Sequence, residues 1–161
     1  YFIAYNFIKC YTYFGDFMKE VSIKKIILWI LLLGWMALIF MLSNQNGTLS
    51  EKTSNGVLSF VSNTLSLHVS PFLIRKTAHA TEYTILSLLM ILLIKEYRNV
   101  NFSIYIYVLF ISVIYATSDE LHQIFISGRS AQVLDVLIDT CGIIIGIFLH
   151  FIWSLRRKCS N

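Results

Sequence analysis

Breakers and bridges are scarce in this chain. Of 161 residues one is proline, Pro71, and seven are glycine. That scarcity argues against a turn-rich β architecture and for long uninterrupted helices. Cysteine is nearly absent too: Cys10, Cys141 and Cys159 are odd in number and widely spaced. Such spacing gives neither a disulfide framework nor a zinc knuckle. Cys141 lies inside an apolar run, where it is expected to pack as a small apolar residue. Charged residues make up only 14% of the chain. The basic ones flank apolar runs without forming a stripe, so nucleic acid is excluded as a partner.

What is abundant is hydrocarbon. The hydrophobic share is 57% and the mean hydropathy +0.68, too oily for an ordinary soluble domain. Four apolar runs approach the roughly 20 residues needed to cross a bilayer as a helix. They cover 26–42, 73–94, 102–117 and 136–153. The first follows Lys24-Lys25 and resembles a signal peptide, but its length and the weak cleavage site "LSNQ" favour a retained anchor. With both termini cytoplasmic, Lys19, Lys24, Lys25, Lys95, Arg98, Arg156, Arg157 and Lys158 all fall on the inner side. The expected fold is therefore all-α, an integral membrane four-helix bundle, N-in and C-in.

Two further expectations concern the flanks. Residues 1–17 are aromatic-rich but broken by Asn6, Lys9, Gly15 and Asp16, and read as a dispensable upstream extension before Met18. Between the first two spans, Val57, Val61 and Leu65 recur every fourth residue, opposite Ser59, Ser62, Asn63 and Ser66. That pattern predicts an amphipathic helix lying in the outer interface.

The stretch "SDELHQIFISGRSAQVLDVLID" places dense charge between two greasy segments. At ~1.5 Å rise per residue, depth follows from counting along each helix from its basic end. Lys25 to Asn44 spans about 28 Å, Lys95 to Glu82 about 20 Å and Lys95 to His79 about 24 Å. Arg98 to Asp119 spans about 31 Å, and Arg156 to Asp139 about 25 Å. All of these positions fall in the outer third of a ~30 Å hydrocarbon core or at its boundary. An ionisable side chain facing lipid costs several kcal/mol, so such groups turn inward and pair or line a wet cavity. Helical phase agrees. Lys76, His79, Glu82 and Tyr83 share a face, as do Asp119 and His122, with Glu120 and Gln123 one position round. Asp135 and Asp139 are four apart, and Gly142 and Gly146 continue their face. His68 and His150 stand alone and read as structural. Trp29, Trp35, Trp153 and the Tyr105–Tyr107 pair read as interface and packing residues.

"RKTAHATEYTILSLL", followed by "SDELHQIFISGRSAQVLDVLIDTCGIIIG", resembles the VanZ-like family of small bacterial membrane proteins. The positions carrying the likeness are Lys76, His79, Glu82, Tyr83, Asp119, Glu120, Gln123, Gly128, Arg129, Asp135, Gly142 and Gly146. Ser43 and Gln45 match a Ser-x-Gln that often ends the family's first span. Asp139 stands where the family usually has Asn, and Ser127 where Pro often precedes Gly-Arg. The resemblance covers about residues 26–153, within a membrane domain of 18–161. Through its namesake it implies a link to resistance against the lipoglycopeptide teicoplanin; it names no reaction.

Four readings of the polar cluster stay open: a structural network, an enzyme, a binder without turnover, and a proton-coupled transporter. In the enzymatic reading His79 or His122 is the general base, oriented by Glu82 or Asp119, with Glu120 beside them. Arg75, Lys76 and Arg129 clamp a phosphate or carboxylate. Ser43, Gln45, Tyr83, Gln123, Asp135 and Asp139 complete the binding set. The ligand expected is a membrane lipid, a lipid-linked cell-wall precursor or a lipoglycopeptide. No cofactor is assigned, and no metal, because no spacing motif specifies one. The chain is expected in the bacterial cell membrane, its pocket on the extracytoplasmic side.

Overall fold

A computed structural model describes residues 22–46, 70–129 and 131–159, together with the isolated positions Lys52 and Gly56. The upstream segment 1–17, the amphipathic stretch 57–66 and His68 lie outside the described residues. Four helices alternate in direction: α1 (Ile23–Ser43), α2 (Pro71–Lys95), α3 (Phe102–Gln123) and α4 (Val133–Cys159). No strand occurs among the described residues. All four helices are long and apolar enough to cross a membrane.

The helix starts follow local rules. Ser22, Ser70 and Asn101 each cap a helix, accepting from the backbone N–H of Lys24, Leu73 and Ile104 at 3.3, 3.2 and 3.1 Å. Pro71 occupies the first turn of α2, where its missing N–H costs nothing. Asp135 sits in the first turn of α4, matched to the positive end of the helix dipole. The helices outrun the apolar runs, and at two ends this matters for the polar residues. α3 continues past Thr117 to Gln123, and α4 begins at Val133 rather than Val136. The acids and amides of "SDELHQ" are thus carried on the span itself rather than on a connecting loop.

The outside of the bundle is apolar. Phe110, Ile114, Phe148 and Leu149 are among many large hydrophobic side chains left exposed, as a lipid-facing surface requires. Cys141 joins them: it is exposed rather than packed, because it sits on the far side of α4 from the buried Asp139, Gly142 and Ile143. Inside, Leu28, Leu32, Ile39, Tyr83, Leu86, Leu93, Ala116 and Ile143 form one core cluster, and Ile91, Ile104 and Val108 another.

α2 and α4 make the closest helix pair. A methyl group on Gly142 would meet the Ala80 carbonyl, and one on Gly146 would meet Ser87 Oγ and the Thr84 carbonyl oxygen. Thr84 Oγ1 lies 2.7 Å from the Ala80 carbonyl and 2.8 Å from the Gly142 carbonyl, so its hydroxyl bridges the two helices. α1 is held more lightly, through Trp35 Nε1 donating to the Glu82 carbonyl (2.9 Å) and Tyr115 OH donating to the Met36 carbonyl (2.8 Å).

One end of the bundle is basic and aromatic. Lys24 pairs with Glu96 at 2.5 Å, and Trp29 Nε1 donates to Tyr97 OH at 3.0 Å. The Lys95 ammonium and the Arg157 guanidinium lie 4.4 and 3.9 Å from the Trp153 ring centroid. His150 is not isolated: its Nδ1 is 3.0 Å from Tyr105 OH, a cross-helix bond. Tyr107, by contrast, faces outward.

Replacing Gly142 by Ala forces a methyl against backbone that cannot yield. Thermal unfolding in detergent, followed by tryptophan fluorescence, is expected to show a loss of about 1–3 kcal/mol. Gly34→Ala, whose added methyl meets nothing within 4 Å, leaves the midpoint unchanged or slightly raised.

Candidate functional site

Opposite the basic end, α2 and α4 turn their ionisable residues toward each other, and α3 closes the third side. Lys76 on α2 makes a short ion pair with Asp135 on α4, both buried. One turn deeper, His79 Nδ1 lies 3.4 Å from Asp139 Oδ1. That contact is an ion-pair distance without hydrogen-bond geometry, since neither Asp139 oxygen has a hydrogen-bond partner. Asp139 is completely buried.

From α3 come Asp119, Glu120 and Gln123, all buried. Ser43, the last residue of α1, is buried next to Asp119, and Gln123 flanks the same carboxylate. Glu120 Oε2 accepts the backbone N–H of Gln132 at 3.2 Å, which ties the α3–α4 connection down over the site. That connection turns at Gly128, whose φ of 77° lies in the left-handed region that favours glycine. The turn brings Arg129 back over the acids. Asp119, Glu120 and Asp135 are all within its electrostatic reach, as is Arg75. Partial burial pulls the Arg129 guanidinium below its ordinary value and Arg75 acts in the same direction, while the three acids oppose them.

A cavity of about 140 Å³ opens here, lined by Arg75, His79, Gln123, Gly128, Arg129, Gln132 and Asp135. Its surroundings hold an unusual density of polar atoms that are buried and have no partner within the protein. They belong to Ser43, His79, Tyr83, Glu120, Gln123, Arg129 and Asp139. Buried polar groups are normally paired, and each unpaired one costs about 1–3 kcal/mol. So many in one place mark a site built for something other than protein.

Most residues nominated from sequence gather at this one place. Arg75, Lys76, His79, Glu82, Tyr83, Asp119, Glu120, Gln123, Arg129, Asp135 and Asp139 lie on the cavity wall or directly behind it. Glu82 is behind, within electrostatic reach of His79, Asp139, Asp119 and Arg129. Two nominated residues fall elsewhere. His122 stacks on Phe40 of α1, ring centroids 4.8 Å apart, and does not line the cavity. It sits one helical position round from Gln123, which turns it toward α1. Gln45 is half-buried beyond the end of α1 and lines no part of the cavity. Gln132 lines the cavity although no motif singled it out; its place between Arg129 and Asp135 was the one available signal. Tyr115 was also missed, and its ring stands 6.3 Å from Tyr83.

Chemically, the arrangement can move a proton at His79, which Asp139 backs. It can clamp an anion between Arg75 and Arg129.

A family profile described as VanZ/LLP1 matches residues 28–154. The chain belongs to the VanZ/LLP1 family. No curated protein and no solved structure matches it. The matched region runs from the core residue Leu28 through Ser154 and takes in every cavity-lining residue. In this VanZ/LLP1 protein the polar end and the four spans are therefore one unit rather than a site appended to a bundle.

The Lys76–Asp135 pair gives a direct check on that unit. Lys76→Met or Asp135→Asn alone leaves one buried charge without its counterpart and is expected to destabilise the protein by about 3–5 kcal/mol. The double variant is expected to recover much of the loss. Unfolding in detergent reads the coupling, and additive losses would show that the two side chains do not share a buried contact.

Proposed function

We propose that this VanZ/LLP1 protein binds the anionic head group of an amphiphile at the polar cavity, and that the cavity faces the extracytoplasmic side of a bacterial cell membrane. The amphiphile is a cell-envelope component such as a lipid-linked wall precursor, or a lipoglycopeptide of the teicoplanin type. One observation carries the reading: two guanidinium groups, Arg75 and Arg129, line a cavity whose buried polar groups lack protein partners. Arginine presents a planar fork suited to phosphate and carboxylate.

The rim supports an amphiphile rather than a free anion. Phe72, Phe125 and Val133 are strongly exposed and stand within a few residues of Arg75, Gly128 and Gln132. A head group held in the cavity would leave its apolar part against these side chains. The orientation rests on the opposite end of the bundle, where Lys24, Lys25, Lys95, Arg98, Arg156 and Arg157 collect.

A transport path is disfavoured by what lies beneath the cavity. Leu86, Ile91, Val108 and Ile143 are buried there, with no ionisable residue from Thr84 to Ile94 on α2 or from Phe102 to Ala116 on α3 other than tyrosines. Turnover is the second reading, favoured by the buried His79–Asp139 contact. There His79 acts as base, with Glu82 within its electrostatic reach and a Glu120 oxygen within 4.8 Å of it.

The test uses the purified protein in nanodiscs with a lipid-linked wall precursor and, separately, teicoplanin. Arg75→Ala and Arg129→Ala are each expected to weaken binding of the recognised amphiphile about tenfold or more. Mass spectrometry of the recovered amphiphile separates binding, which leaves it unaltered, from turnover that is lost in His79→Ala. Neither amphiphile binding, or affinities indifferent to both arginines, would contradict the proposal.

A further inference from the structure

The deepest part of the polar cluster has a geometry that anion binding does not explain. His79 of α2, Glu120 of α3 and Asp139 of α4 each bring one potential ligand atom to a point where all three lie within 4.8 Å of one another. The separation of His79 Nδ1 from Asp139 Oδ1, 3.4 Å, is close to the edge of a tetrahedron with metal–ligand bonds of about 2.0–2.1 Å, roughly 3.3 Å.

The free valences are in the right places. Glu120 gives Oε2 to the Gln132 N–H, which orients the carboxylate and leaves Oε1 buried and unpartnered. Both Asp139 oxygens and His79 Nδ1 have no hydrogen-bond partner. Two further groups outside the trio point to the same occupant. Gln123 is 3% exposed, shares the cavity wall with His79 and has an unpartnered Nε2. Tyr83 is fully buried, within electrostatic reach of Asp139, and its hydroxyl is also unpartnered. Such groups suit water or an anion completing a coordination shell.

Charge bookkeeping points the same way. The cluster holds five carboxylates, Glu82, Asp119, Glu120, Asp135 and Asp139, against three fixed cations, Arg75, Lys76 and Arg129. Counted with every carboxylate ionised and His79 neutral, the forms that ligate a metal, the surplus is two negative charges at a depth where uncompensated charge is costly. Lys76 is already committed to Asp135. A single dication balances the remainder.

We propose that His79, Glu120 and Asp139 bind a divalent cation of the zinc or manganese class. The imidazole nitrogen selects these ions over magnesium and calcium, which take oxygen alone. The site stands whether or not an amphiphile binds above it.

The experiment uses the full chain with Cys10, Cys141 and Cys159 replaced by alanine, so that no thiol scavenges metal. After chelator treatment and dialysis against buffered Zn2+ or Mn2+, mass-spectrometric metal analysis is expected to find one ion per chain. Mg2+ and Ca2+ should compete at least tenfold less well. Asp139→Asn and Glu120→Gln keep side-chain shape and are expected to weaken uptake tenfold or more each. His79→Ala should abolish the ligand-field absorption of the Co2+-loaded protein. No stoichiometric uptake, or uptake indifferent to both Asp139→Asn and Glu120→Gln, overturns the inference. Failure of the chain with His79, Glu120 and Asp139 intact to take up metal, while it still binds the amphiphile, would overturn this site and leave the proposed function standing.

Discussion

A charge brought into hydrocarbon must meet its counter-charge there, and the polar end of this bundle is organised by that requirement. Lys76 and Asp135 are both buried, and each is tolerable only because the other is present. Their contact sets the rotation of α2 against α4, since both residues must face the interface. With that rotation set, His79 and Asp139 are brought opposite each other one turn deeper, and Tyr83 and Ile143 one turn deeper again. The site and the core thus lie along one helix–helix seam.

Small residues make that seam possible. Gly142 and Gly146 let α4 approach the Ala80–Thr84 backbone so closely that the Thr84 hydroxyl reaches across. Side chains as short as aspartate then span from α4 into the space under α2 and α3. A bundle with ordinary spacing would leave Asp139 and Glu120 too far from His79 to share an occupant. Close packing below and open, unsatisfied polarity above are therefore linked: the glycines supply the proximity, and the α3–α4 connection, turned at Gly128 and tied by Gln132, supplies the roof.

The spans, their alternation and the helix faces carrying Lys76, His79, Asp119 and Asp139 were legible in the sequence, because period and hydropathy are local properties of the chain. Partners across helices were not. Spacing along α2 suggested Glu82 as the companion of His79, whereas the structure supplies Asp139 from α4, sixty residues away. The His79–Glu120–Asp139 trio draws one residue from each of three helices, so no motif along the chain announces it. His122 shares a helical face with Asp119 on a wheel, yet Phe40 of α1 claims its ring. His150 looked solitary for the same reason: its companion, Tyr105, is on another helix. Cys141 was misjudged because a uniformly apolar run conceals which side faces lipid.

The central claim is that the ends of α1 and α3 and the starts of α2 and α4 share one level, away from the basic ends. Single cysteines at Asn44, Ser127 and Asn99, all exposed, introduced into a chain without its own three, can be labelled in sealed vesicles with a membrane-impermeant maleimide. Asn44→Cys and Ser127→Cys are predicted to react from the same face, and Asn99→Cys only from the opposite one. Reaction of positions 44 and 127 from opposite faces would separate the acids from their counter-charges and contradict the account.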